Sequence, residues 1–347
     1  MAKLIGQLIL YGILFVVILE LVARTEDSVR FDAPFWGHYH LEGIRGVDER
    51  GTRRCAANAR YKHFRLGEHG FRITDTKQSG EQTFVWLGAS EAFGLYETPG
   101  EDVANQLERN LANTGRDVDV VNAACFGLNV ARMQRLLEDP LPGVAMNYLA
   151  LYPTPHFYLD SQLPGEDKPL ESAPAAQPFV SRLLTKSRDV AKSFLPGALQ
   201  DYLRSLQTRQ ALQGTDEEWL WTEPPAERLA LFESQMRSML AAATAIDVRV
   251  AVLTHANAFH RQPSIDQSKL QAWQKFYPRA SGEVLIEFDR AANEITRALA
   301  AEYKVTLIDM AEVVQGKPGL FADFSHFTDS GATLAADRLQ DWVQTER

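Results

Sequence analysis

Short apolar runs alternate with amphipathic stretches from residue 83 to the C-terminus, and that alternation limits the chain to few folds. "TFVWLG" (83–88), "DVDVVNAA" (117–124), "NYLALYP" (147–153), "VRVAVLTHA" (248–256) and "VTLIDM" (305–310) are too short for helices that must bury a face. They read as strands buried on both sides. Between them lie stretches with helical spacing: "GEDVANQLERNLAN", with Val103, Leu107 and Leu111 on one face, then "ARMQRLLED", "PAERLALFESQMRSMLAAATAI" and "FDRAANEITRALAAEY". A final helix is expected over "DSGATLAADRLQDWVQ". A β-α-β-α-β order requires crossovers, so the expected fold is α/β: three α/β/α layers around a parallel five-stranded sheet. No internal repeat interrupts it.

Three segments stand outside that pattern. Residues 4–23, "LIGQLILYGILFVVILELVA", are apolar except for Gln7 and Glu20. About 20 such residues suffice to cross a bilayer as a helix. The run exceeds a signal peptide's apolar region, so it reads as an uncleaved anchor, with residues 1–24 as transmembrane unit. Lys3 and Arg24 flank it and give little orientation bias. The short N-terminal flank and large downstream body fit a single-pass membrane protein with its body on the extracytoplasmic (periplasmic) side. Residues 25–80 read as an irregular segment in which "HGFRITD" (69–75) forms a turn and an extended piece. The compact domain is expected over 81–347, with a helical insertion at about 161–224 that begins Pro- and Ala-rich.

The net charge of −9 argues against nucleic acid as a partner, since phosphate neutralisation needs a basic face. Two cysteines, Cys55 and Cys125, cannot make a disulfide framework. Cys125 reads as a small core residue, and no bond between the two is expected.

In a parallel sheet all carboxyl-terminal strand ends lie along one edge, where open α/β folds bind their ligands. That edge collects Gly88-Ala89-Ser90, Gly127-Leu128-Asn129, Pro153-Thr154-Pro155 and "THANAFH" (254–260). Ser90 taken alone reads most simply as a helix cap. Asp323 and His326, three apart before the last helix, could equally be caps. On one turn, however, the carboxylate can hold one imidazole nitrogen protonated and leave the other as a base. A serine hydroxyl needs such a base to become a nucleophile.

Taken together, "GASEAFG", "NAACFG" and "DFSH" resemble the blocks of the SGNH (GDSL-type) hydrolase family over roughly residues 66–340, interrupted by the insertion. "HGFRITD" is similar to the lead-in of its membrane-tethered bacterial members. The resemblance implies Ser90 as nucleophile, His326 as base, Asp323 as its orienting acid, and the amides of Ser90 and Gly127 in an oxyanion hole. Two positions depart from the family's pattern. Ala89 stands where the first block has aspartate, and Thr154 stands where the third supplies an oxyanion asparagine. Thr154 or His156 could donate in its place.

Asn129, His156, His255 and Asn257 are possible substrate-lining residues, though Asn129 also suits a helix cap. A metal needs three ligands in good geometry, and the H-x4-H spacing of His255 and His260 is a weak signal. No metal and no cofactor are therefore expected. His38 and His40 read as a surface loop, and Trp219 and Trp221 as packing residues.

The expected function is a membrane-anchored serine esterase or O-acyl (acetyl) transferase acting on envelope or exported polysaccharide. The alternatives are a lipid-ester or thioester hydrolase, and a catalytically weak polysaccharide-binding or assembly factor. The expected partners are the membrane, an acylated carbohydrate or other ester, and envelope assembly proteins.

Overall fold

The computed structural model describes residues 2–37, 39–47, 53–74, 80–138, 145–159, 181–194, 220–259, 266–315 and 317–345. His38, Trp219, His260 and most of the insertion lie outside the described residues.

All five expected strands form: β1 (Gln82–Gly88), β2 (Val118–Asn122), β3 (Tyr148–Tyr152), β4 (Arg249–Leu253) and β5 (Thr306–Ile308). They make one parallel sheet in the order β2-β1-β3-β4-β5. The central three, β1, β3 and β4, are nearly all buried, so no polar face shows in their sequence. The chain steps one way from β1 to β2 and the other way from β3 onward. Right-handed crossovers then place the helix of the first step on one face and the helices of the later steps on the other.

The helices follow: α1 (Ala2–Phe31), α2 (Ser90–Phe93), α3 (Val103–Asn113), α4 (Val130–Glu138), α5 (Arg182–Phe194), α6 (Ala226–Thr244), α7 (Gly282–Tyr303) and α8 (Asp329–Thr345). On one side α3 packs against α8, and on the other α4, α6 and α7 pack in series. The α8 side is aromatic. Phe84 and Tyr148 stack together beneath the edge of Trp342, and Trp86 stacks on Tyr152.

The helix α1 has 30 residues, about 45 Å. It is long and apolar enough to cross a membrane, and its apolar window is wholly unburied. Glu20, the one acidic residue in the apolar run, has a specific task. Its carboxylate accepts from Arg24 Nε, Ser181 Oγ and the amides of Arg182 and Leu183 at 2.7–3.1 Å. It therefore caps the N-terminus of α5, where a negative charge suits the helix dipole. The helix α5 lies within the insertion at about 161–224 that the sequence predicts to be helical.

Two expectations need correction. The compact body does not begin at 81, because Ile44, Cys55, Phe64 and Leu66 are buried in the same core. Arg72 bridges Leu66 and Asn122 in antiparallel fashion, so it adds a one-residue edge beside β2. Its guanidinium pairs with Asp102 at 2.9 Å and donates to the carbonyls of Phe93 and Gly94. Secondly, Cys55 and Cys125 form a disulfide across 70 positions. Reading Cys125 as a core residue was right about its burial but missed its partner, because the hairpin that carries Cys55 (45–47 with 53–55) docks beside the end of β2.

Candidate active site

The turn after β1 is built by steric necessity. A Cβ on Gly88 would lie 2.6 Å from Ala92 Cβ and 2.9 Å from the Tyr152 carbonyl oxygen, so only glycine lets β1 and β3 close up there. Ala89 is the N-cap of α2 and has no side chain to cap with. Ser90 is the first helical residue, and its Oγ reaches only Glu91 Oε2, at a long 3.4 Å. The hydroxyl is therefore not spent on capping. Gly94, at φ +82°, ends the single turn.

Gly127 lies on the neighbouring loop at φ +71°, with open space where a Cβ would sit. The amide of Cys125 donates to the Gly88 carbonyl at 3.1 Å, tying that loop to the serine turn. Asn129 caps α4 by accepting from the Arg132 amide at 3.0 Å.

Across the edge, Asp323 organises its own loop. Its Oδ1 accepts from the amides of Ser325 and His326 at 3.0 and 2.9 Å, and Oδ2 takes His326 Nδ1 at 2.9 Å. That bond puts the proton on Nδ1 and leaves the Nε2 lone pair free; Nε2 is buried and has no hydrogen-bond partner among the described residues. Burial works against a charged imidazole here. The hydrogen bond to Asp323 and the charges of Glu91, Asp323 and Glu97 outweigh it and hold His326 above its ordinary 6.5. Asp323 is held below its ordinary value: burial would raise it, but the His326 ring and the two amides prevail. Tyr96, half-exposed, sets its ring edge-on to His326 at 5.1 Å.

The serine loop and the histidine loop are strapped together twice. Asp329 accepts from both the amide and the hydroxyl of Thr98 at 2.7 Å. Ser325 Oγ donates to Glu91 Oε1 at 3.0 Å. No hydrogen bond joins Ser90 Oγ to His326 Nε2.

Glu91, which sequence reasoning passed over, is the hub of the site. It is fully buried and takes Thr154 Oγ1 at 3.2 Å, with His156 Nε2 at 3.5 Å and His255 Nε2 at 3.9 Å from Oε1. Burial alone would raise its carboxyl; the His255 contact and three imidazole charges hold it well below the usual carboxylate range. Behind it, His255 Nδ1 meets Asp289 Oδ1 at 2.6 Å, and Asn257 donates to Asp289 Oδ2 at 2.8 Å. Burial pushes His156 down to about 4. His255 goes up despite burial, because Asp289 faces it.

Of the residues expected at the site, Ser90, Thr154, His156 and His255 meet around Glu91, while Asn257 sits one shell behind on Asp289. Asn129 points its carbonyl into a helix. Thr154 directs its hydroxyl at Glu91, and that proton is committed there. One signal in the sequence pointed to Glu91. It is a charged residue in an otherwise apolar stretch, directly after the strand-end serine.

Trp221, expected to pack, lies against the guanidinium of Arg279 at 4.1 Å and donates its amide to the Arg279 carbonyl.

No family model matches this chain, and no curated protein matches it. Solved structures do. One is a member of the lipolytic protein G-D-S-L family from Veillonella parvula, at 15% identity and TM-score 0.43, covering 77% of this chain and 100% of that one. The acetyl xylan esterase AlAXEase matches at 13% identity and TM-score 0.43, over 76% and 99%. The psychrotrophic esterase EstA from Pseudoalteromonas sp. matches at 10% identity and TM-score 0.40, over 76% and 98%.

Proposed function

We propose that this chain is a serine ester hydrolase of the SGNH type, with Ser90 as nucleophile, His326 as general base and Asp323 as the group that orients His326. The observation that carries this reading is a pair of unspent groups on one sheet edge. Ser90 has a hydroxyl that caps no helix, and the Asp323-held imidazole turns a buried, unpartnered Nε2 toward the same edge.

In this mechanism Ser90 Oγ leaves Glu91 for His326 Nε2, a contact of the kind that commonly closes only with substrate bound. Oγ then attacks the ester carbonyl while Nε2 takes its proton. The tetrahedral oxyanion is held by the amides of Ser90 and Gly127. Thr154, being committed to Glu91, contributes through that carboxylate rather than directly. The imidazolium returns the proton to the leaving alcohol, and water or a second alcohol then releases the acyl group.

The substrate we infer is an O-acyl group on an envelope or exported polysaccharide, and the product is a free hydroxyl or a transferred acyl group. Two observations support work outside the cytoplasm: a helix fit to anchor the chain, and a disulfide, which persists in oxidising compartments.

The test is fluorophosphonate labelling of the detergent-solubilised full chain, with the labelled peptide identified by mass, beside turnover of p-nitrophenyl acetate and a long-chain ester. Labelling at Ser90 that is lost in Ser90→Ala, with preference for the acetyl ester, is the expected result. Preference for the long chain moves the substrate to lipid. No label and no turnover above Ser90→Ala leaves a binding or assembly protein.

A further inference from the structure

We propose that Glu91, His156 and His255 hold a divalent metal ion, zinc by the chemistry of the set, in the wall behind Ser90. The three side chains come from α2, the 3-10 turn Pro155–Leu159 after β3 and the loop after β4, so only the folded sheet edge brings them together. Their donor atoms all lie within 4.8 Å of one another. Glu91 Oε1 is 3.5 Å from His156 Nε2 and 3.9 Å from His255 Nε2. The point in their plane equidistant from three atoms so placed lies about 2.0–2.4 Å from each, close to zinc–nitrogen and zinc–oxygen bonds of about 2.0–2.2 Å; a tetrahedral ion sits just out of that plane, takes a water as fourth ligand and draws the three donors slightly inward. Two imidazoles and one carboxylate are a donor set zinc accepts; magnesium and calcium want oxygen alone.

The surroundings are those of a ligand set. His255 has its other ring nitrogen on Asp289 at 2.6 Å, which fixes the tautomer and turns Nε2 toward Glu91. Metal-binding histidines are oriented by such carboxylates. Asp289 is itself held by Asn257 and Asn293 at 2.8 and 3.3 Å. Glu91 is held by Thr154 and Ser325, one bond on each oxygen. The two imidazoles meet edge to face with centroids 5.1 Å apart, so they converge on a point rather than stack. His156 is kept in place by the rings of Trp273, Tyr277 and Phe324.

The ion would pin Glu91, and through it the turn that carries Ser90. Its role is to fix the turn, and no reaction step passes through it. The site is buried, so the ion must enter as the chain folds, and the experiment supplies it then. The full chain is expressed in zinc- or cobalt-supplemented medium, purified in detergent, freed of any affinity tag and dialysed against metal-free buffer. Metal is counted by mass spectrometry, and the cobalt form is read by its tetrahedral visible bands.

We expect about one ion per chain, tetrahedral cobalt bands, and loss of both in His156→Ala/His255→Ala. Should that variant fail to fold, His156→Gln, which is close to histidine in volume and lacks the imidazole, is expected to alter the cobalt spectrum. A wild-type chain retaining under about 0.1 ion per chain, or one whose ion and spectrum survive both variants, overturns the site. Serine labelling is scored separately, so a metal-free but labelled chain refutes the metal and spares the hydrolase.

Discussion

Glu97 sits in the loop between α2 and α3, almost completely buried. One carboxylate oxygen accepts from the Tyr96 amide at 3.0 Å, and the other has no partner. Burial first, and the charge of Asp102 after it, push the carboxyl from its ordinary 4.5 up to about 7. A value raised on folding gives a contribution that is whole below pH 4.5 and is lost as the pH climbs through 7. The gap of about 2.5 units at about 1.4 kcal/mol each amounts to about 3–3.5 kcal/mol of stability missing on the alkaline side. Replacing Glu97 with Gln keeps an acceptor for the Tyr96 amide and removes the ionisation. At pH 5 the two proteins should unfold alike. At pH 9, Glu97→Gln should be the more stable by about 3–3.5 kcal/mol, or about 6 °C or more in melting temperature. Thermal melts of both chains in the same detergent at pH 5, 7 and 9 measure this. A variant that gains nothing at pH 9, or gains as much at pH 5, refutes the reasoning.

The charge of Glu97 also acts on His326, the proposed base. His326 must be neutral to accept a proton, and its value is raised, so kcat/KM for an acetyl ester should climb with a midpoint above pH 6.5. Asp323→Asn should bring that midpoint down and lower the plateau by orders of magnitude; an unmoved midpoint would show that Asp323 does not hold the ring. Converting Cys55 and Cys125 together to serine removes a cross-link spanning 70 positions, at a cost of about 4 kcal/mol by chain entropy; a denaturation midpoint unchanged from the oxidised chain would contradict this. Gly88→Ala forces a Cβ within 2.6 Å of Ala92 Cβ, so it should cost about 1–3 kcal/mol and reduce labelling of Ser90, and wild-type labelling and melting together would disprove the close approach.

Much of the fold was legible because its signals are local. A strand buried on both faces reads as a bare apolar run, and each of the five such runs became a strand of the sheet. The Asp323–His326 pair was legible for the same reason, since three positions on one turn suffice to join them. The start of the body at 81 misled because the strands before it are two or three residues long, too short to carry a period. The helix in the insertion was readable from its own spacing, whereas its capping by Glu20, some 160 positions earlier, was not.

The sequence by itself therefore determined the strands, the helices, the apolar N-terminal helix and the candidate triad residues, because periodicity and turn chemistry act over a few residues. Only the tertiary structure decided that Cys55 meets Cys125, that Thr154 spends its hydroxyl on Glu91, and that Glu91, His156 and His255 share one buried pocket with Asp289 behind. Those contacts join the ends of different strands. Their distances depend on strand order and on the packing of α7 against the sheet, and no short-range pattern records either.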